Sequence, residues 1–211
     1  MSIKLSSLLP LLLFLSGCVT NREISDDFRV PKEESFGVVI VSFTHAEGVY
    51  DSYAPTCAYR GTNNEVSGWT KRGNSGIIPL DKTIIYSKTT TNLFGKAAIL
   101  GRVVAVELPA GTYEFFRCAS SGVFVTSSTV PELSIKFSVT PGEVAYLGNI
   151  RFIITPSRSP FDTFSRADFD IFVDDRHDRD FEIVRRAWPN IAVEQIKTAL
   201  AQYTRRAFTG N

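Results

Sequence analysis

Few side chains of this sequence stand where a reaction would need them. A serine nucleophile requires a base, and the residues of the right types are Ser75, within Gly73-Asn74-Ser75-Gly76, and His45, 30 positions earlier. That segment misses the G-x-S-x-G spacing of a strand-to-helix nucleophile turn, so Ser75 reads as a turn residue and His45 as a loop residue after a strand. The carboxylates Asp168, Asp170, Asp174, Asp175, Asp178, Asp180 and Glu182 are dense enough to suggest Ca²⁺. Counted from Asp178, however, the sixth position is Ile183, where a calcium loop needs Gly. Arg176 and Arg179 interleave with the acids, and Asp178 and Asp180 suit a helix start, so a solvated, helix-capping face is expected. His45 and His177 are too few for a histidine metal centre, and thiolate zinc sites need more cysteines than remain here. No phosphate-cradling or dinucleotide fingerprint occurs. The expectation is no catalytic set, no metal and no cofactor.

Three other features carry chemistry of a different kind. Cys57 and Cys118 form an even pair, which in an oxidising compartment means a disulfide and otherwise two separately buried thiols. Trp69, with Lys71 and Arg72, sits in the glycine-rich stretch 61–76. An aromatic on a basic loop can stack on a sugar, grip a protein or touch headgroups; equally it can fold back over the edge of its own domain. The third is at the start. Lys4 precedes an apolar run over 5–16, too short to cross a bilayer, which takes about 20 residues. The run ends in Leu15-Ser16-Gly17-Cys18, which resembles the bacterial lipobox: Leu three before the Cys, with small residues between. The resemblance implies cleavage before Cys18, a diacylglycerol thioether on its sulfur and acylation of the new amino terminus. In enterobacterial lipoproteins Asp after the Cys retains the protein in the inner membrane, so Val19 points to the outer membrane, facing the periplasm.

Maturation at Cys18 would leave 194 residues, enough for one domain with a sizeable core. Removing Lys4 with the leader leaves 22 basic against 22 acidic side chains. That balance argues against a nucleic-acid partner, which needs a basic surface. The organisation expected is a signal peptide over 1–17, a lipidated and polar tether over 18–35, a β-sandwich over 36–175 and a helical segment over 176–211 that packs on it.

The elements that must position these residues follow from hydrophobic period. The run 36–44 (FGVVIVSFT) is apolar throughout and β-branched, as a strand covered on both faces should be. In 132–154, Leu133, Ile135, Phe137 and Val139 alternate with polar neighbours; Thr140-Pro141-Gly142-Glu143 is a turn, and a second strand follows. These two strands read as an antiparallel hairpin, and the strand–Pro/Gly–strand unit over 103–118 has the same grammar. Further strands are expected over 57–60, 82–88 and 168–173. After 174 the period changes: Phe181, Val184 and Trp188 repeat at helical spacing, Pro189 ends the turn, and Asn190 can cap a second helix carrying Ile196, Leu200 and Tyr203. The fold class expected is mainly β, an antiparallel β-sandwich with one or two short C-terminal helices.

Leu108-Pro109-Ala110-Gly111-Thr112-Tyr113 and the stretch 137–148 resemble turns of small bacterial envelope lipoproteins in families without an assigned reaction. The resemblance implies a β-sandwich lipoprotein. The function expected is a non-enzymatic, lipid-anchored module that contacts the membrane through its anchor and an envelope protein through its body. The alternative is a small-ligand or glycan-binding sandwich that uses the 61–76 loop.

Overall fold

The computed structural model describes residues 24–25, 27–30, 35–45, 56–62, 75–77, 84–91, 97–119, 133–156 and 167–204. They form two packed sheets and one α-helix, which bears out a mainly β sandwich. Strands β1 (Phe36–His45), β4 (Ile84–Thr91), β5 (Ala97–Pro109), β8 (Val144–Pro156), β9 (Ala167–Asp174) and β10 (Lys197–Thr198) make the first sheet. Strands β2 (Thr56–Gly61), β3 (Ser75–Ile77), β6 (Gly111–Ala119), β7 (Ile135–Val139) and β11 (Gln202–Tyr203) make the second. The first sheet is mixed rather than purely antiparallel, because β1 and β8 run parallel at its centre. Ser75, read as a turn residue, lies on β3 opposite Arg60, and His45 is the buried last residue of β1 rather than part of a loop.

The core has two layers because the central strands are apolar on both faces. Val39, Val41 and Phe43 of β1 point between the sheets, where Phe43, Tyr113, Phe115 and Phe137 pack ring against ring at 4.8–5.6 Å between centroids. Val38 and Ile40 point the other way, into a second layer with Val103, Ala105, Val144, Tyr146, Val184 and Trp188. The unbroken apolar run of 36–44 is what a doubly covered strand requires.

The turn over 140–143 does not close a hairpin. Strand β7 pairs with β6 and β11 in the second sheet, while β8 pairs with β1, β9 and β10 in the first. Gly142 supplies the expected left-handed turn residue (φ 67°), but its N–H donates to the Phe36 carbonyl at 2.7 Å, and Val38 N–H donates to the Glu143 carbonyl at 2.9 Å. The turn is thus pinned to the start of β1. The corner between β5 and β6 behaves likewise: Ala110 N–H donates to the Ser35 carbonyl, and the buried Tyr113 hydroxyl donates back to the Pro109 carbonyl, both at 2.8 Å. This last bond is the logic of a tyrosine corner, closing a passage from one sheet to the other. Both units read as hairpins are therefore inter-sheet corners gathered at the beginning of β1.

Beyond β9, the α-helix α1 (His177–Ala187) lies over the outer face of the first sheet and buries Asp180 and Val184. Asp178 and Asp180 in its first turn and Arg185 and Arg186 in its last complement the helix dipole. The second helix expected after Asn190 is not formed. A single 3₁₀ turn at Val193–Gln195 leads instead to β10 and β11. The edge of β8 claims this segment: Ala199 and Ala201 N–H groups donate to the Tyr146 and Leu147 carbonyls, each at 2.9 Å. Leu200, placed on a buried stripe by helical spacing, is 43% exposed.

Of the segment 18–35 read as a tether, Ile24 is buried and Phe28 and Val30 pack on the outer core layer. Ile24 N–H donates to the Ala105 carbonyl (3.2 Å), on the stretch of β5 beyond the pairing with β4, and its own carbonyl accepts from Trp188 Nε1 (3.2 Å). The described residues 24–25 and 27–30 of this segment form a strap on the body.

One irregularity matters most for the site. On β8, Ala145 and Leu147 face the inter-sheet core, but so do Ile150 and Phe152, so the alternation changes phase between them. Pairing with β1 jumps from Ile40↔Tyr146 to Ser42↔Asn149, three residues against two. Gly148 (φ 94°) is the extra residue of this bulge. A Cβ there would be strained by backbone conformation and would approach the Asp174 carbonyl oxygen to 3.0 Å. Gly148→Ala is expected to lower stability by about 1–3 kcal/mol in urea denaturation, the usual scale for a non-glycine residue forced into such a conformation.

Candidate functional site

The bulge turns both Tyr146 and Asn149 to the outer face of the first sheet, beside Ser42 and Thr44 of β1. In a strand of regular period, Asn149 would point into the apolar inter-sheet core. Over these four side chains, α1 places Asp180, fully buried, and Arg179, partly exposed. The result is a polar cluster between helix and sheet, continuous through Tyr146 with the outer core layer.

Its centre is the Asp180 carboxylate. Oδ2 accepts from the Ser42 and Tyr146 hydroxyls, each at 2.6 Å, and Oδ1 accepts from Arg179 Nε and Nη2, each at 2.7 Å. A buried carboxylate is costly unless paired and hydrogen-bonded, and here both oxygens are served. Ser42 has one proton to give, and the charged oxygen at 2.6 Å outcompetes Asn149 Oδ1 at 3.0 Å. Asn149 Oδ1 accepts instead from Thr44 (2.9 Å) and Arg179 Nη2 (3.3 Å), while Arg179 Nη2 also donates to Ser42 Oγ at 3.1 Å. The Tyr146 hydroxyl oxygen accepts from the Arg176 N–H at 3.2 Å, which ties the residue before α1 to the sheet. Burial, and then the neighbouring Asp180 charge, push the Tyr146 hydroxyl far above the ordinary phenol range, so it stays a donor at any physiological pH.

This arrangement fixes position. Ser42, Asn149 and Asp180 have 0–1% of their surface exposed, so the cluster is closed to substrate in this conformation. Tyr146 cannot serve as a base while its proton is held on Asp180. What the cluster does is join β1, β8 and α1 through one charge.

Three other members of the acidic run have partners of their own. Asp174 accepts from Arg151 Nε at 2.7 Å. Asp175 and Asp178 flank the exposed His177 ring, Asp175 on Nδ1 (2.9 Å) and Asp178 on Nε2 (3.1 Å). The Asp175 hydrogen bond raises the His177 pKa and lowers that of Asp175. The expectation of a wholly solvated acidic face is thus corrected at Asp180, which is the buried member. No group of three or more His, Cys, Asp or Glu side chains that could hold a metal occurs among the described residues.

Cys57 and Cys118 are disulfide-bonded, directly opposite one another on β2 and β6 and buried in the inter-sheet core. Cys18, Trp69, Lys71 and Arg72 lie outside the described residues, as does most of the 61–76 stretch. On the second sheet, Glu114 is held by Arg60 Nε at 2.7 Å and the Ser134 hydroxyl at 2.9 Å. An open groove of about 410 Å³ runs between β9 and β11, lined by Asp170, Ile171, Phe172, Val173, Ala201 and Tyr203. No helix among the described residues is long and apolar enough to cross a membrane.

No family model matches this chain, and no curated protein matches it. Among solved structures, a leucine-rich repeat protein from Bacteroides thetaiotaomicron aligns with 56% of this chain and 14% of its own, at 16% identity and a TM-score of 0.32. A likeness of that size carries no argument about fold or activity.

Two substitutions separate the parts of the cluster. Tyr146→Phe leaves the Arg176 N–H without its acceptor and Asp180 one donor short, and is expected to cost about 1–3 kcal/mol. Arg179→Ala leaves a buried charge uncompensated and is expected to cost more, about 3–5 kcal/mol. Chemical denaturation of the two variants checks the order; equal and negligible effects would contradict it.

Proposed function

We propose that this protein is a lipoprotein of the bacterial envelope, anchored by lipid on Cys18 and presenting a non-enzymatic β-sandwich to the periplasm. The observation that carries the reading is Leu15-Ser16-Gly17-Cys18 following a short apolar leader. One acyl chain holds a protein marginally, whereas two or more anchor it stably at about 0.8 kcal/mol per buried CH₂. The Cys57–Cys118 disulfide supports the same compartment, since such bonds persist where thiols are oxidised. Val19 favours the outer membrane over the inner.

The body's role is to contact another envelope component. Its most developed interior chemistry, the Asp180 cluster, holds a helix in place. Trp69, Lys71 and Arg72 remain the residues best suited to a partner contact.

Labelled palmitate is expected to enter the wild-type protein and not Cys18→Ser, and the wild type is expected to fractionate with membranes. A mature protein recovered free, with an unmodified amino terminus, would end the proposal.

A further inference from the structure

We infer that the C-terminal end of α1, with Arg185, Arg186 and the following Asn190, is a membrane-facing surface that rests on phospholipid headgroups. The inference depends on the lipidation of Cys18 proposed above and on where the chain joins the body. Ile24 is docked beside Trp188, its carbonyl on the indole N–H and its amide on β5. Only five residues lie between it and Cys18, so the chain takes six steps from one to the other. At about 3.3–3.6 Å per residue they span at most roughly 20 Å. The headgroup layer between the acyl core and water takes about 5–8 Å of that reach. What is left is roughly 12–15 Å, while a compact domain of this length is on the order of 40 Å across. The body therefore cannot turn its second sheet to the bilayer while Ile24 stays docked.

Charge agrees with this orientation. Arg185 and Arg186, both exposed, lie at the end of α1 next to Trp188, whereas Asp175 and Asp178 lie at the opposite end. Arg185 and Arg186 thus meet the phosphates, whereas at the other end Asp175 and Asp178 are interleaved with Arg176, His177 and Arg179 and offer no such uniform positive charge. A tether free from Cys18 to Ser35 would impose no such orientation.

The test uses the full lipidated protein in vesicles of phosphatidylethanolamine and phosphatidylglycerol, with a photoreactive benzoyl-phenylalanine placed at Asn190 or at Lys136, which is exposed on the second sheet. Lipid crosslinking from Asn190 is expected to exceed that from Lys136 by about tenfold, because the remaining chain cannot reach round the body. Changing Arg185→Gln and Arg186→Gln together should reduce the Asn190 yield. Equal yields from the two positions, or an Asn190 yield indifferent to both arginines, overturn the inference. Palmitate content is measured on the same sample. Its absence overturns the anchor and the orientation together, whereas its presence with equal yields overturns the orientation alone.

Discussion

A single buried carboxylate sets the terms on which this sandwich is finished. Asp180 has no exposed surface, so its carboxylate must be served by donors from the elements around it. Ser42 comes from β1, Tyr146 from β8 and Arg179 from the helix itself. Each constrains something larger. Ser42 must stand, with Thr44, on the outer face of a strand that is otherwise mostly apolar. Tyr146 and Asn149 must share that face although three residues apart, which needs the bulge at Gly148. The helix must begin just after Arg176, because the Arg176 N–H also ends on the Tyr146 hydroxyl.

The remaining architecture follows from where the helix is held. With α1 fixed, Val184 and Trp188 complete a second apolar layer over β1, β5 and β8, and Trp188 offers its indole N–H to the Ile24 carbonyl. The strap is thus secured by the helix, and the helix by the carboxylate. On the other side, the disulfide joins β2 and β6 within the inter-sheet core; on the chain-entropy account a loop of this length contributes about 4 kcal/mol. Both inter-sheet corners close on the start of β1, one on Phe36 and Val38 and the other on Ser35 just before it. That strand is consequently the axis of the molecule, touched by both corners, both core layers and the polar cluster.

Much of this was legible in the residues. Period and turn residues placed the longer strands but not β3, β10 or β11, the doubly apolar run identified the buried one, and an even pair of cysteines favoured a bond over two separate thiols. What the residues left open was pairing. Pro141 and Gly142 satisfy a turn whether the chain doubles back within one sheet or crosses to the other, and the choice is made by distant bonds to Phe36 and Val38. The second helix failed for a related reason: the spacing of Ile196, Leu200 and Tyr203 fits a helix, yet the open edge of β8 offered the backbone better partners. Asp180 was hidden among neighbouring acids, since composition does not say which of them is buried. A signal was available in Ser42 and Thr44, polar positions of one parity inside an apolar strand, and in Asn149 just after a glycine.

Held through Asp180, α1 should be bound to the sheet as firmly as the sheet is to itself. Native-state hydrogen exchange of the α1 amides measures this directly. The protected amides around Val184 are expected to exchange with the same opening free energy as those of β1, by unfolding of the whole body. Exchange of α1 through a separate, much easier opening, with β1 still protected, would contradict it.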